Sequence, residues 1–410
     1  MSETIGVYID IGVESYLVGR CRLITKRRHT TSHFQYDDAW LSHEMCFAID
    51  PENLPLSSVS VYTRTNKSSL PGAIRDTAPD RWGQKLIQRA YRKNGIDRRL
   101  TEFDYLLGMN DETRIGALRY RRSNQDEFDN DIEGYRIPPL IQLSALLDAA
   151  NAVANDEETD AELRLLLNEG SPLGGARPKS AILDGEELAI AKFPKPDDER
   201  SIAQGEVLAL ELARESGINA ASGRIENADG RDVSIIKRFD RDGAQRIPYL
   251  SAMSLLGKDD GDGGTYTEIA EIIRKHSSEP IDDLHELYKR MVFNVLISNH
   301  DDHLRNHGFL YDNRERWRLS PAFDLNPVPK FETDGRMQTA ISDKGDDASI
   351  KLALDTCADF KLRPDEADKI VREIAQIVNG WPKLARRLGM TAIEQKNYAT
   401  AFHLADEYLS

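Results

Sequence analysis

The chain has 410 residues, of which 40% are hydrophobic and 30% are charged, and it contains 27 glycines and 17 prolines. This balance is typical of a soluble globular protein with two or three domains, and it excludes collagen-like and low-complexity chains. The formal net charge is −15, from 54 Lys and Arg against 69 Asp and Glu. Because such a surface repels phosphate backbones, direct DNA binding is not expected.

The three cysteines indicate a reducing compartment. Cys21, Cys46 and Cys357 lie far apart and form no CxxC pair, so neither a disulfide framework nor a cysteine zinc site is expected. The first residues lack the basic and apolar regions of a signal peptide, and no run of about 18 apolar residues occurs. We therefore expect a cytoplasmic protein that does not span a membrane.

In chain order, the first predicted elements are a β-hairpin and a helix. Apolar residues alternate over 5–11, and a second run follows over 16–23, which predicts paired strands. Helical spacing of apolar residues over 79–92 predicts a helix. The acidic, polar segment 123–134 predicts a connection between domains.

The remaining elements change from mixed to mainly helical. The run at 181–193 predicts a hairpin that turns at Asp184-Gly185, and 202–215 and 233–236 predict a helix and a strand. A long amphipathic helix is expected to end near Leu296. Two further helices are predicted, one after Pro364 and one that a capping box opens at Thr391.

A glycine-rich segment, SPLGGARPKS at 171–180, precedes the second hairpin. Adjacent glycines let backbone N–H groups converge on an anion, as in phosphate-binding loops, and Arg177 and Lys179 add positive charge beside them. The spacing matches neither the Walker A nor the Rossmann motif, and a plain surface turn would look the same.

Lys192 follows on the second strand of that hairpin. A strand lysine after a phosphate loop can neutralise nucleotide phosphates and pair with a helix glutamate, for which Glu206 and Glu211 are candidates. Taken alone, a strand lysine is usually a solvated surface residue.

The segment FNVLISNHDDHLRNHGFLY at 293–311 carries the clearest chemical pattern. Asp301 and Asn306 have the spacing of the Asp and Asn in a protein-kinase catalytic loop, and Asp302 does not. Asp324 follows where a second metal ligand should stand.

Two other interpretations of this segment remain open. The Asp and Asn side chains could simply cap a helix end. The three histidines, His300, His303 and His307, could bind zinc, although nearby carboxylates favour Mg²⁺ with phosphate.

Together these motifs resemble the HipA family of serine/threonine kinases, the toxins of type II toxin–antitoxin pairs. The resemblance depends on SPLGGARPK at 171–179, AKFP at 191–194, KRFDR at 237–241, NHDDHLRNHGF at 299–309, LSPAFDLNP at 319–327, and the phrases at 70–83 and 105–120. It implies an α+β, atypical two-lobed protein-kinase-like fold with a β-containing N-terminal unit and a mainly helical C-terminal lobe. The expected parts are a HipA-like α+β unit (1–122), a linker with the nucleotide-binding N-lobe portion (123–240), and the helical lobe (241–410).

The resemblance also implies roles for individual residues. Asp301 would be the catalytic base. Magnesium would be held by Asn306 and Asp324, and ATP by Gly174, Gly175, Ala176, Lys192, Lys237, Phe239, His303 and Arg305. Glu206 would pair with Lys192, and Ser171 would be autophosphorylated. Asp302 stands where the family commonly has glycine.

The implied cofactors are ATP and Mg²⁺, and the implied partners are a HipB-like DNA-binding antitoxin and a protein substrate, with an aminoacyl-tRNA synthetase suggested. DNA would be contacted only through the antitoxin. Two alternatives stay open: a small-molecule kinase of the aminoglycoside or choline type, and a catalytically weak scaffold that binds the antitoxin.

Overall fold

The structure is a computed structural model that describes residues 2–26, 29–63, 67–122, 128, 140–167, 177–312 and 316–410. The chain forms two compact units. The first contains residues 1–195 and 238–260, and the second contains 196–237 and 261–410. The three-part division expected from the sequence stays a prediction; its linker at 123–134 lies almost wholly outside the described residues.

The first unit mixes strands and helices. Its strands are β1 (Ser2–Ile11), β2 (Glu14–Lys26), β3 (His29–Tyr36), β4 (Val61–Thr63), β5 (Leu118–Arg122), β6 (Lys179–Asp184), β7 (Glu187–Lys192), β10 (Arg241–Asp242), β11 (Gln245–Arg246) and β12 (Tyr249–Ser251). Its helices are α1 (Asp38–Leu41), α2 (Gly72–Asp76), α3 (Arg81–Lys93), α4 (Glu102–Leu107), α5 (Leu143–Asn155), α6 (Asp160–Leu167) and α8 (Ala252–Leu255).

A five-stranded antiparallel sheet in the order β4-β3-β2-β1-β5 organises the start of this unit. On β1, Ile5, Val7 and Ile9 are fully buried, as strand alternation requires for a sheet with one face on a core. The predicted hairpin is therefore confirmed. The second predicted hairpin is also confirmed, since β6 and β7 pair antiparallel around Gly185, whose φ of 66° suits the turn.

Helix α3 begins after Asp80, whose carboxylate accepts the backbone N–H of Gly83 at 2.8 Å. The helix turns Trp82, Leu86 and other apolar side chains into the core, as the sequence predicts. The other carboxylate oxygen of Asp80 lies 2.8 Å from the ammonium of Lys179, and both side chains are only 2% exposed. Lys179, which the sequence suggested as a basic residue beside the glycine-rich segment, is thus buried in an ion pair.

Three residues of the KRFDR segment, Arg238, Asp240 and Arg241, form a buried cluster of charged side chains. The Asp240 carboxylate accepts from Arg238 and Arg241 at 2.6 Å and from the backbone of Gly116 at 2.7 Å. Burial would raise the pKa of Asp240, but the two guanidinium groups outweigh it and hold this pKa well below its usual range. Arg238 also donates to the carbonyl of Thr113 at 2.9 Å. The phrase therefore joins two distant segments of the first unit.

The second unit is mainly helical, which confirms the expected α+β class with a helical C-terminal part. Its helices are α7 (Ile202–Glu215), α9 (Tyr266–His276), α10 (Pro280–Leu296), α11 (Ile350–Asp355), α12 (Pro364–Asn379), α13 (Trp381–Arg387), α14 (Ala392–Tyr398) and α15 (His403–Leu409). Its strands are β8 (Gly223–Ala228), β9 (Arg231–Lys237), β13 (Gly264–Thr265), β14 (Gly308–Asp312), β15 (Arg316–Leu319) and β16 (Thr339–Ala340).

The predicted closing helices after Pro364 and Thr391 exist, but the count of two was wrong: α13 and α15 were missed. Both contain only seven residues, too few for a clear helical period in the sequence. Packing against distant residues buries Trp381 of α13, whose ring stacks on that of Phe402 at 4.7 Å, and Ala405 of α15 is also buried. In the part of the chain that the structure describes, no helix is long and apolar enough to cross a bilayer.

Candidate active site

The segment 299–307 follows directly from α10, whose inner face is buried in the core of the second unit. The helix ends at Leu296, and Ser298 takes a left-handed conformation with a φ of 53°. The backbone N–H of Asn299 then bonds to the carbonyl of Asn294 at 2.8 Å. This tight exit gives the following polar residues a fixed starting point.

Asp301 is exposed, and its Oδ1 accepts the side-chain amide of Gln338 at 2.6 Å. Partial burial raises the pKa of the Asp301 carboxyl, and so do the nearby carboxylates of Asp324 and Asp302. His303 and the Gln338 hydrogen bond act in the opposite direction. The carboxylates of Asp324 and Asp302 therefore lie close enough to Asp301 to affect its ionisation.

Asn306 and Asp324, the predicted magnesium ligands, offer oxygen atoms at this place. The amide nitrogen of Asn306 donates to the backbone carbonyl of Asp301 at 3.3 Å. Its buried Oδ1 receives no hydrogen bond from any described residue. Asp324 has a φ of 56°, and Asn326 donates to its Oδ1 at 3.3 Å. An orphaned amide oxygen and a carboxylate, each near Asp301, fit the hard-oxygen preference of Mg²⁺.

Within the described ranges, no three His, Cys, Asp or Glu side chains converge into a complete metal cage. A magnesium ion in a kinase site is held by one or two protein oxygens together with substrate phosphates, so it does not need such a cage.

Asp302 faces away from this exposed site. Its carboxylate is 2% exposed and accepts from the hydroxyl of Tyr266 and from His307 Nε2, the latter at 3.1 Å. Burial alone would raise the pKa of Asp302, but His307 and the Tyr266 hydrogen bond lower it. Asn294 in turn donates to the Tyr266 hydroxyl at 2.9 Å. Asp302 is therefore part of a buried hydrogen-bond network.

His303 and Arg305, predicted to line a nucleotide pocket, are both half-buried. The backbone N–H of His303 bonds to the carbonyl of Asp301 at 3.0 Å, so the ring is close to the predicted base. Its Nδ1 is buried and has no hydrogen-bond partner among the described residues. Contact of either side chain with nucleotide stays a prediction.

Lys192 belongs to the first unit and Glu206 to the second, and their pairing stays a prediction. Lys192 ends β7 directly opposite Lys179. Glu206 is 2% exposed in α7 and accepts from Ser234 at 3.1 Å. The other candidate, Glu211, is bound at the surface by Arg214. Only Glu206 therefore has the burial expected of a lysine partner.

The predicted adenine contacts also belong to different units. Lys237 is exposed at the end of β9 in the second unit. Phe239 is half-buried in the first unit, with its ring 6.3 Å from that of Tyr249. Ser171, Gly174, Gly175 and Ala176 lie outside the described residues.

The sequence reasoning missed Gln338, Tyr266 and Asn294. Gln338 reaches Asp301 across 37 positions and Tyr266 reaches Asp302 across 36, and no motif marks either residue. The one available signal was the predicted burial of α10, which made a polar residue such as Asn294 within it a candidate for a buried hydrogen bond.

Comparison with known proteins shows the family to which this chain is similar. The model of the HipA-like C-terminal domain matches residues 171–381, about half of the chain. The protein Y4mE of Sinorhizobium fredii, whose name assigns it provisionally to the kinases, is 26% identical over 348 residues, which cover 77% of this chain and 76% of that protein. A similarly named Haemophilus influenzae protein is 25% identical over 156 residues, 34% of this chain and 46% of that protein. The chain thus spans about half of one relative and three quarters of the other.

Among solved structures, the HipA, HipB and operator DNA complex of the Shewanella oneidensis MR-1 toxin–antitoxin system matches with a TM-score of 0.70. The identity is 16%, and the match covers 100% of this chain and 97% of that one, so the likeness concerns the fold. The fold and the domain match agree, and the chain belongs to the HipA family.

Proposed function

We propose that this chain is an ATP- and Mg²⁺-dependent serine/threonine protein kinase that acts as a growth-arresting toxin. The observation that carries the proposal is the grouping of Asp301, Asn306 and Asp324 in the second unit. Asn306 bonds to the backbone of Asp301, and the Asp324 carboxylate raises the pKa of Asp301. An exposed carboxylate near two candidate metal-binding side chains matches the arrangement that kinases use for phosphoryl transfer, and it supports the proposal.

Each residue has a distinct task in this mechanism. The exposed Asp301 carboxylate orients the acceptor hydroxyl and takes its proton as the phosphoryl group transfers. Asn306 Oδ1 and the Asp324 carboxylate would hold the metal, which would neutralise charge on the ATP phosphates. Lys192 would add positive charge at the phosphates, and its pairing with Glu206 stays a prediction of the family resemblance. Contact of Lys237 and Phe239 with the adenine stays a prediction of the family resemblance.

The family suggests the partners. The solved relative is a complex of HipA with HipB and operator DNA, which supports a HipB-like antitoxin as the partner of this chain. We further propose that the substrate is an aminoacyl-tRNA synthetase in the cytoplasm, whose phosphorylation arrests translation.

Autophosphorylation of Ser171 would regulate the site. A phosphate of about −2 charge in the glycine-rich segment would repel the phosphates of ATP, so the modified protein should bind ATP more weakly. Ser171→Ala should still bind nucleotide. Mass spectrometry after incubation with Mg-ATP should find phospho-Ser171 in the wild type and not in Asp301→Asn. Phosphate only at other positions, or unchanged ATP affinity of the phosphorylated form, would refute this regulation.

A phosphoproteomic comparison tests the function. Cells expressing wild-type protein should contain phosphorylated Ser or Thr that cells expressing Asp301→Asn lack, because loss of a general base slows transfer by about 100-fold or more. Asp343→Asn, an exposed aspartate outside the site, is the matched control and should resemble wild type.

The alternatives predict other outcomes in the same cells. A small-molecule kinase would consume ATP in extracts without new phosphoproteins. A scaffold would leave both ATP consumption and the phosphoproteome unchanged.

A further inference from the structure

Residues 338 and 339, which follow Asp324 in the chain, form backbone hydrogen bonds with the residues on both sides of Asp301. The N–H of Gln338 bonds to the carbonyl of His300 at 3.1 Å, and the N–H of Thr339 bonds to the carbonyl of Asp302 at 3.0 Å. These two bonds hold residue 338 beside residue 301 through the backbone alone.

Strand β16, which begins at Thr339, is itself fixed. It pairs in parallel with β13, with Gly264 opposite Thr339. The residue after β13 is Tyr266, whose hydroxyl bonds to the Asp302 carboxylate. The short β13–β16 ladder therefore adjoins both Tyr266, which binds the Asp302 carboxylate, and the backbone of Gln338.

The side chains of the two aspartates have different hydrogen-bond partners and different exposure to solvent. Asp302 is fixed in the core by Tyr266 and His307. Asp301 is exposed, and Gln338 Nε2 donates to its Oδ1 at 2.6 Å. Among the described residues, no other side chain donates a hydrogen bond to the Asp301 carboxylate.

We propose that Gln338 is a positioning residue that fixes the orientation of the Asp301 carboxylate and leaves its Oδ2 for the acceptor hydroxyl. A neutral amide suits this task. A Lys or Arg at the same place would form a charge-assisted bond, roughly twice as strong, and would compete with the acceptor hydroxyl for the carboxylate. The amide orients the base without adding charge.

This inference rests on the proposed phosphoryl transfer, and its test separates the two. Gln338→Met keeps the length of the side chain and removes the donor. The control is Arg336→Met on the same segment, whose side chain is 66% exposed and whose nearest charge partner is Asp346 at 3.9 Å. Both variants and wild type are assayed as full chains with Mg-ATP labelled on the γ-phosphate.

Gln338→Met should lower kcat for transfer by about 10- to 100-fold and leave the KM for ATP within about twofold, because the base is present but misaligned. The melting temperature of Gln338→Met should match that of wild type. The kcat and KM of Arg336→Met should also match those of wild type. An unchanged kcat, or a change in KM alone, would overturn the inference.

Crystal structures of wild type and Gln338→Met give a readout that does not depend on activity. The Asp301 carboxylate should have one orientation in wild type and a different or divided orientation in the variant. The same single orientation in both would also overturn the inference. If the wild type transfers no phosphate at all, the proposed function fails, and this structural comparison still decides the role of Gln338.

Discussion

At the scale of single residues, the backbone of Asp324 limits which substitutions are informative. Its φ of 56° is a left-handed conformation that Asn tolerates better than other residues with a side chain. Asp324→Asn therefore removes the charge while keeping the backbone, whereas Asp324→Ala would add strain.

We expect Asp324→Asn combined with Asn306→Leu to weaken ATP binding at least tenfold, about 1.4 kcal/mol, in the presence of Mg²⁺. Affinity measured in EDTA should change little, because the phosphates then lack the metal in both proteins. Isothermal calorimetry with and without Mg²⁺ checks this. Equal losses in both conditions would mean that these side chains do not act through the metal.

Asp50 is a buried carboxyl in the first unit whose ionisation should affect stability. Burial raises its pKa from 3.8 to about 6, despite hydrogen bonds from the backbone and side chain of Asn53. Between these two pH values the folded state binds more protons than the unfolded state. The free energy of unfolding therefore falls as pH rises through this window.

Asp50→Asn removes this titration and retains an acceptor oxygen. Between pH 4.5 and 7, the stability of the wild type should fall by about 2 kcal/mol relative to the variant. Urea unfolding at both pH values measures the difference, with exposed Asp97→Asn as the control. A difference that does not depend on pH would show that Asp50 is not the titrating group.

At the scale of elements, α7 packs closely against the C-terminal part of the second unit. Tyr398 at the end of α14 donates to the carbonyl of Ser201 at 2.9 Å. A Cβ atom built on Gly205 would lie 2.2 Å from the Tyr398 hydroxyl. Glycine at 205 is thus required by this contact, and the same helix carries Glu206.

Gly205→Ala should lower the free energy of unfolding by about 1–3 kcal/mol, because the added methyl group overfills a packed contact. Tyr398→Leu in the same chain should recover part of the loss, since the clashing ring is gone. Gly345→Ala, where the nearest atom to a new Cβ is 3.9 Å away, is the matched control. Denaturant unfolding of these variants and of Tyr398→Leu alone checks this, and a fully additive double variant would refute the clash.

At the scale of the whole molecule, net charge should determine how strongly the chain binds nucleic acid. With a net charge of −15, it gains little from counterion release on DNA. Fluorescence anisotropy with a labelled duplex of about 30 base pairs should show no binding by the chain alone at about 10 μM and 50 mM salt. Binding that weakens steeply with salt would reveal a basic surface that acts despite the net charge.

The amino-acid sequence determined the elements whose signal is short-range. The hairpins around β1 and β7 and the long helix α10 follow from apolar periodicity and turn residues within a few positions. Their existence was predicted correctly, since each pattern extends over one continuous segment. The spacing of Asp301 and Asn306 is likewise local, so the sequence alone could indicate this pair.

Tertiary structure decided which of those polar residues are exposed and which partners they bind. Asp301 and Asp302 are adjacent and identical in type, yet one is exposed beside Gln338 and the other is buried against Tyr266. Likewise, Lys179 is sealed in an ion pair with Asp80, 99 positions away in the chain. Packing between distant segments determines which group a polar side chain binds, and a local sequence pattern cannot predict that partner.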